Sequence, residues 1–489
     1  MTSRYKIGEY FVTVGVECHV QLKSRSKLFS PADNDAREAP ANTLINHIDL
    51  GMPGALPVLN EEAVKLACRA AFALGSRPQK YSKFDRKHYF YPDLPMGYQI
   101  SQFDEPIILG GEIEIDVDGN KKTIEITRAH LEADAGKSTH PKGADYSLVD
   151  LNRAGTPLLE IVSEPQITSP AEAKAYAREL YLRMKFAGIS EANLYYGNMR
   201  FDVNVSVNKD ENSLGTRSET KNLNSFKSVE KAVEFEAKRQ VELLQRGEQI
   251  VQETRGWDDD RQKTFSQRSK EDAHDYRYMP DPDLPPVILA DDYIESIKAT
   301  TPTLPNEWRE LLQTHNLDSL LVEALLDSEV EFENQNYLDL FKQIDDKVLF
   351  KRYANWVVNL FVPLMRDKGL GLKAADRLKL VKAVHILIES GSVSSTSSKQ
   401  LITELTESQS IPEDITAYAE TQGYLQVSDS DELDKIVTEV LSANQKATED
   451  VKNGEMKAIG FLVGQCMKAS KGQGNPSTFQ ELIKKQLGL

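Results

Sequence analysis

Regular alternation of apolar and polar side chains between residues 12 and 22 constrains the fold of this chain more than any other feature. The apolar positions are Val12, Val14, Val16, Cys18, Val20 and Leu22. Because successive side chains of a β-strand point to opposite faces, the pattern predicts a half-buried strand with one wholly apolar face. The other face carries Glu17 and His19, which point the same way. Such a pair could begin a hard-cation site, although polar residues on the outer face of an antiparallel strand are also ordinary.

Three further strand-like segments deliver carboxylates. Residues 201–207 alternate in the same way, with Asp202 on the polar face. Glu160 lies inside an apolar run, where a charge is costly unless it is paired, hydrated or bound to metal. Glu132 and Asp134 follow the strand-like run 124–131. Carboxylates gathered on one sheet repel each other unless cations neutralise them, so the sequence predicts a Mg²⁺ site with a phosphate ligand.

The order of patterns along the chain predicts three domains. The first, residues 1–290, is α+β with an antiparallel sheet; it has a hairpin turn at Asp118–Gly119 and helices predicted over 61–74, 170–187 and 225–246. The proline-rich stretch 281–286 marks its end. An all-α domain over 291–411 and a small helical tail domain over 412–489 follow.

Composition excludes several classes of protein. Three widely spaced cysteines, Cys18, Cys68 and Cys466, predict a reduced, cytoplasmic protein without a disulfide framework. No apolar run is long enough to span a bilayer. The formal net charge of −16 argues against a broad nucleic-acid-coating surface, but not against a local RNA-binding patch.

Three motifs are consistent both with a functional role and with an ordinary structural or surface role. The stretch 136–139, Gly-Lys-Ser-Thr, is not a P-loop, because Leu131 stands where that motif needs glycine; Lys137 is equally consistent with a phosphate contact and with a surface lysine. Residues 83–91 mix cations with aromatic rings, which suits a nucleotide or an RNA 3′ end, or simply an amphipathic strand. The tail has a local lysine excess that indicates either RNA contact or a solvated helix face: Lys457, Lys468, Lys471, Lys484 and Lys485 against Glu455 and Glu481.

Nine sequence blocks, in order, carry a family resemblance. They lie at 14–22, 54–60, 83–93, 98–104, 134–140, 150–165, 221–226, 252–255 and 275–280, and the tail block 464–476 follows. With these blocks the chain resembles the B-subunit family of the bacterial aspartyl/glutamyl-tRNA amidotransferases over essentially its whole length. The resemblance implies that the first domain is similar in fold to glutamine synthetase, and that the tail loop 472–476 contacts tRNA.

The resemblance also implies a reaction. ATP converts the side-chain carboxylate of a misacylated Glu-tRNA(Gln) or Asp-tRNA(Asn) to an acyl phosphate, and ammonia then displaces the phosphate. The implied partners are tRNA, an amidase-type A subunit that supplies ammonia, and a small C subunit. The implied cofactors are ATP and Mg²⁺. No glutaminase nucleophile is evident in this chain, in agreement with an external ammonia source.

Site residues follow from the resemblance position by position. The family's metal positions are matched by Glu17, His19, Glu132, Glu160 and Asp202. Matching motifs place Lys87, Asp134, Lys137 and Arg153 at phosphate or ammonia contacts, with Lys137 and Arg153 expected to bind the nucleotide. Met96 stands where a lysine is expected, and Ala133 where many members have a second Glu.

One metal is predicted to be absent. Many members of the family carry a zinc knuckle whose cysteine positions correspond here to Ser30, Ala32, Asn46 and Asp49. Without thiolates zinc lacks its soft ligands, so we predict no structural zinc.

Two other functions remain to be weighed: a non-enzymatic tRNA-binding scaffold for the amidase, which the carboxylate strands disfavour, and a free-standing metal-dependent phosphotransferase, which the helical tail disfavours.

Overall fold

The computed structural model describes residues 4–269, 275–328, 331–332, 335–425, 430–455, 457–470 and 474–489. The chain divides into two compact units, Met1–Glu307 and Trp308–Leu489. Among the described residues, no helix is both long enough and apolar enough to cross a membrane.

The first unit is built on strands that are mostly short. They are β1 Lys6–Ile7, β2 Tyr10–Gln21, β3 Tyr81–Ser82, β4 Asp85–His88, β5 Tyr98–Ser101, β6 Ile108–Leu109, β7 Glu112–Val117, β8 Asn120–Ala133, β9 Lys137–Thr139, β10 Leu148–Asp150, β11 Pro157–Ser163, β12 Met199–Asn208, β13 Ser218–Leu223, β14 Glu253–Asp258, β15 Lys263–Ser269, β16 Met279–Pro280 and β17 Val287–Ile288. The alternating segment 12–22 therefore lies almost wholly in β2, as predicted. The predicted turn at Asp118–Gly119 joins β7 to β8, with both residues at positive φ, as a two-residue hairpin requires.

Thirteen strands form one large sheet. Its order is β15-β14-β13-β12-β2-β11-β8-β5-β4-β16, with β1 paired to β2, and β6 and β7 paired to β8. All neighbouring pairs are antiparallel except β13 and β14, which run parallel. The sheet is therefore mixed, and the predicted purely antiparallel sheet is wrong at this one pair, because the long helical connection between β13 and β14 returns the chain in the same direction. The predicted likeness to glutamine synthetase stays a prediction.

Helices cover one face of this sheet. They are α1 Glu61–Ala73, α2 Pro170–Phe186 and α3 Phe226–Gln245, within one residue of the predicted helices at each end. Side chains of Asn60, Ser169 and Ser225 cap their N-termini, so each start is fixed locally. The apolar face of β2 is 0–1% exposed from Val12 to Leu22 and packs in one core with these helices. The opposite, polar face of the sheet does not contribute to this core.

Helix α4, Asp291–Ala299, packs against α1 and lies in the first unit, beyond the predicted boundary at residue 290. The remaining helices are α5 Pro305–Thr314, α6 Ser319–Asp327, α7 Lys347–Trp356, α8 Val362–Lys368, α9 Ala374–Glu389, α10 Ser395–Ser408, α11 Ile415–Thr421, α12 Ser430–Ala443, α13 Gln445–Lys452, α14 Lys457–Ala469 and α15 Pro476–Leu487. A 3₁₀ segment at Tyr337–Gln343 and a π-helical segment at Val357–Phe361 complete them.

In the residues that the structure describes, the second unit is helical apart from one short antiparallel pair, β18 Glu331–Phe332 with β19 Gln335–Asn336. The predicted all-α character of the C-terminal region is therefore confirmed, with this strand pair as a small departure. Helices α12–α15 share a hydrophobic cluster of their own, which includes Val437, Leu462 and Phe479. Helix α11 instead packs against α9, and Val393 pairs with Leu425. The tail boundary at 411 stays a prediction.

Candidate active site

Strand pairing brings the predicted metal ligands together on the polar face of the sheet. Glu160 of β11 pairs with His19 of β2, and Asp202 of β12 pairs with Glu17. On the far side of β11, the strand β8 places Glu132 opposite Leu158. Residues paired across strands point to the same face, so all five carry their side chains to one side of the sheet.

The first cluster consists of His19, Glu132 and Glu160, with His130 beside them. His19 Nε2 lies 3.4 Å from Glu160 Oε2 and 4.0 Å from Glu132 Oε1. His130 Nε2 lies 3.7 Å from an oxygen of each carboxylate. Burial lowers the pKa of His19, but the hydrogen bond and charge of Glu160 outweigh it and raise that pKa to about 9. In the protein without bound ions, imidazolium therefore offsets part of the carboxylate charge.

The second cluster consists of Glu17, Asp202 and Glu219, whose ligand oxygens all lie within 4.8 Å of one another. Burial, followed by repulsion from Glu160, Glu219 and Asp202, raises the pKa of the Glu17 carboxyl. Lys221 contributes a positive charge, with Nζ 3.1 Å from Asp202 Oδ2 and 3.1 Å from Glu219 Oε1. The five predicted ligands thus divide between two neighbouring clusters.

The donor atoms of the second cluster suit a hard divalent cation. Three carboxylates supply oxygen ligands, which Mg²⁺ prefers. Asn204 donates from Nδ2 to Glu17 Oε1 at 2.9 Å, and its buried Oδ1 accepts no hydrogen bond from any described residue. A buried carbonyl oxygen without a donor is unusual and is satisfied by a cation or water. The residues present therefore fit Mg²⁺.

Lys87 lies on β4 and faces the first cluster. Burial lowers the pKa of Lys87, but the charges of Glu132 and Glu160 outweigh burial and raise it. Its Nζ is 4.9 Å from the ring centroid of Tyr276 and 6.0 Å from that of Tyr89. The cation and aromatic residues predicted to act together are thus brought together beside the carboxylates.

Asp134 and Arg153 form a second ionic arrangement. Asp134 Oδ2 lies 3.2 Å from Arg153 Nε and 3.2 Å from Arg200 Nη2. Arg153 also donates to the carbonyls of Ala135 and Gly136, at 3.0 and 2.6 Å. Arg153 thereby holds the turn after β8, and its predicted phosphate contact would have to be made from this position.

Lys137 is exposed on the β9–β10 hairpin, where it pairs with Asp150, and no described contact joins it to either cluster. The close approach of the chain explains why residue 136 is glycine, because a Cβ at Gly136 would lie 2.8 Å from the carbonyl oxygen of Asp150. The roles predicted for Lys137 stay predictions.

The four positions predicted to lack zinc ligands, Ser30, Ala32, Asn46 and Asp49, lie at a buried ion pair to which Asp49 itself belongs. Lys27 Nζ, which is fully buried, lies 3.2 Å from Asp49 Oδ2 and donates to the carbonyl of Leu44 at 2.7 Å. The same Asp49 oxygen accepts from Ser30 Oγ and from the backbone N–H of Asn46, both at 3.0 Å. Hydrogen bonds converging on one carboxylate therefore tie together the two ends of this segment.

A groove opens beside the second cluster. A cavity of about 160 Å³ is lined by Glu17, Asn204, Gly215 and Arg217, among others. It shares Thr13, Pro165 and Leu214 with a larger cavity of about 960 Å³ that extends towards Lys121 and Lys122. The surface beside the second cluster thus has room for a ligand much larger than an ion.

The tail lysines that the structure describes are Lys457, Lys468, Lys484 and Lys485, on α14 and α15. Three of them are exposed, and Lys484 is half-buried. Asn475 caps α15 by accepting from the backbone of Ser477. Lys471 and the loop residues 472–473 lie outside the described residues, so the tRNA contact predicted there stays a prediction.

The sequence matches two family models. The first, the GatB/GatE catalytic domain, covers residues 12–295, and the second, the GatB domain, covers residues 339–487. The chain belongs to the GatB family. The B subunit of the aspartyl/glutamyl-tRNA(Asn/Gln) amidotransferase of Carboxydothermus hydrogenoformans is 41% identical over 486 residues, which are 98% of this chain and 99% of that protein. The corresponding proteins of Oceanobacillus iheyensis (44%; 97% and 98%) and Coxiella burnetii (43%; 98% and 100%) are similar over as much of their lengths.

The resemblance seen in the sequence blocks is thus confirmed, but it missed residues of this GatB-family site. Glu219, Lys221 and His130 lie at the clusters, and Arg200 binds Asp134; none of the four was among the predicted site residues. The alternation Glu-Thr-Lys over 219–221 was a signal that Glu219 and Lys221 share a strand face. No local pattern indicated that β13 lies next to β12.

Proposed function

We propose that this chain is the B subunit of a glutamine-dependent tRNA amidotransferase and activates the side-chain carboxylate of misacylated Glu-tRNA(Gln), Asp-tRNA(Asn) or both. The observation that carries the proposal is the pair of carboxylate clusters on one face of the sheet, in a chain of the GatB family. A scaffold that only held tRNA would gain nothing from burying these charges, because they cost folding free energy.

Two anions must meet in this reaction, since ATP and the substrate carboxylate are both negative. The clusters would hold Mg²⁺ through Glu17, Asp202 and Glu219, and through His19, Glu132 and Glu160. Bound Mg²⁺ screens the repulsion and neutralises charge on the transferring phosphoryl group. The groove beside Glu17 and Asn204 is where we place the nucleotide, because it opens directly onto the second cluster.

The reaction has two steps. An oxygen of the substrate carboxylate bonds to the γ-phosphorus as the bond to ADP breaks, which gives an acyl phosphate. Ammonia nitrogen then bonds to the acyl carbon, phosphate leaves, and one proton is lost to give the amide. Lys87 lies beside Glu132 and Glu160, and we assign it to orienting the anionic acyl phosphate. Asp134 and Arg153 would shape the neighbouring turn, and Lys137 and Arg153 would contact the nucleotide phosphates.

Ammonia has to come from another protein. All three cysteines are buried, and burial raises the pKa of Cys68 to about 12 and that of Cys466 to about 11. A thiol nucleophile needs the opposite environment. We therefore assign ammonia production to an amidase A subunit, with a small C subunit in the same heterotrimer, acting on aminoacyl-tRNA in the cytoplasm.

The test is amidation by the purified chain. With ATP, Mg²⁺, Glu-tRNA(Gln) and ammonium, the chain should form Gln-tRNA(Gln), whereas glutamine should serve only after an amidase subunit is added. Glu160→Gln should lower the rate by on the order of 10² or more, the usual cost of losing one charge-stabilising group. Glu105→Gln, an exposed carboxylate remote from both clusters in sequence, is the matched control and should retain activity. Ammonium-dependent amidation unaffected by Glu160→Gln would contradict the site, and no amidation at all would favour the scaffold.

A further inference from the structure

Lys221 lies opposite Asp202, on the face of β13 that also carries Glu219, and the pairing of β13 with β12 becomes irregular at this point. Phe201 pairs with Leu223 and Val203 with Thr220, so two residues of β13, Lys221 and Asn222, stand opposite the single residue Asp202. This is a β-bulge, a device that re-aims side chains beside functional sites. Asn222 adopts a φ of 60°, and its backbone N–H donates to Asp202 Oδ1 at 2.8 Å. The bulge thus fixes the Asp202 carboxylate beside Lys221.

The ammonium of Lys221 takes the carboxylate oxygens that a cation would need. One oxygen of Asp202 is bound by Asn222, and one oxygen of Glu219 by Thr254 Oγ1 at 3.1 Å. The other oxygen of each carboxylate is 3.1 Å from Lys221 Nζ. Mg²⁺ binds oxygen at about 2.0–2.1 Å. An ion bound to both of these carboxylate oxygens from inside the cluster would therefore contact the ammonium of Lys221. The two cations therefore exclude each other by contact and by charge.

We propose that Lys221 is an internal counter-ion of the Glu17–Asp202–Glu219 cluster, which a divalent cation displaces. The side chain is 36% exposed, whereas Asp202 is 4% exposed, so the ammonium has an open side towards which it can move. Its four-carbon stem allows that movement without a change in the backbone. The displaced ammonium then contacts a phosphate group of the nucleotide; this last step rests on the proposed function.

Cation binding to the full chain, without nucleotide or tRNA, tests the displacement. The Mn²⁺ affinity is measured by electron paramagnetic resonance, in a Glu160→Gln background that weakens the first cluster. Lys221→Met should bind Mn²⁺ about tenfold more tightly or better, as expected for removing a unit charge next to a divalent ion. Lys227→Met, an exposed lysine on α3, removes the same charge elsewhere and should leave the affinity unchanged. Equal or weaker binding by Lys221→Met, or no Mn²⁺ binding by either protein, would overturn the proposal.

A second measurement uses the wild-type chain and does not depend on how the variant folds. Lys221 is modified with an amine-reactive reagent and its labelling rate is followed by peptide mapping. Saturating Mn²⁺ should raise that rate several-fold, while the rate at exposed Lys227 stays constant. An unchanged rate at Lys221 would show that the ion and the ammonium bind together, and would overturn displacement. Neither measurement involves amidation, so failure here is distinguishable from failure of the proposed function.

Discussion

Asp49→Ala should open the segment between residues 27 and 52 more than any other single truncation there. The change removes the carboxylate from a fully buried lysine and leaves Lys27 with the carbonyl of Leu44 as its described partner. Breaking a buried ion pair by removing one member costs about 3–5 kcal/mol. Since about 1.4 kcal/mol is a factor of ten, the open population of the segment should rise by about two to three and a half powers of ten. Ser30 and the N–H of Asn46 lose the same acceptor, which adds to the loss.

Limited proteolysis, with the cleavage rate measured between residues 27 and 52, reports this local opening directly. Asp35→Ala is the matched control, because Asp35 pairs with Arg37 at the exposed surface, where an ion pair is worth about 0–1 kcal/mol. Burial outweighs Asp49 and lowers the pKa of Lys27 in the folded protein. Folding therefore favours the neutral amine, so the contribution of Lys27 to the stability of the wild-type chain should rise with pH between that lowered pKa and the unfolded value of about 10.4. Equal cleavage of the two variants would refute the reasoning.

Further outcomes are expected on the same physical grounds. Ellman's reagent should modify Cys18 and Cys68 only on unfolding, because both thiols are buried with raised pKa values; rapid labelling of the native chain would contradict this. Exhaustive zinc chelation followed by restoration of Mg²⁺ should leave amidation intact, and stoichiometric zinc by elemental analysis would refute the prediction of no structural zinc. Deleting the chain after Leu425, which spares α11 on α9, should weaken tRNA binding and reduce its salt dependence by about one unit of slope for each lost phosphate contact. Unchanged tRNA affinity would indicate that the tail serves assembly instead.

Local patterns predicted the first unit well because they are enforced by burial. The alternation in β2 is strict, since every residue on its apolar face lies in the core. The helices α1 and α2 were predicted within one residue, since Asn60 and Ser169 supply side-chain caps just before their first turns. In these elements propensity, capping and hydrophobic pattern agree, which is why sequence alone sufficed.

Long-range pairing decided what the sequence left open. Glu219 and Lys221 join the site only because β13 pairs with β12 in this register, and one residue of slippage would turn both side chains to the other face. Lys27 was not predicted to be buried, because lysine is almost never fully buried without a partner and Asp49 is distant in sequence. The family resemblance supplied the positions of the metal ligands, but not the positively charged side chains that lie beside them.

These positively charged side chains explain how the first unit can fold with its buried carboxylates before any ligand binds. His19 lies against Glu160, Lys221 against Asp202 and Arg200 against Asp134, so each buried carboxylate group has a positive neighbour. Without such neighbours the cost of burying several like charges would fall on folding stability. Binding a divalent ion therefore exchanges one positive charge for another instead of filling an unbalanced site. On this argument, Mg²⁺ should raise the unfolding temperature of a Lys221→Met variant more than that of the wild-type chain, which thermal unfolding with and without Mg²⁺ measures.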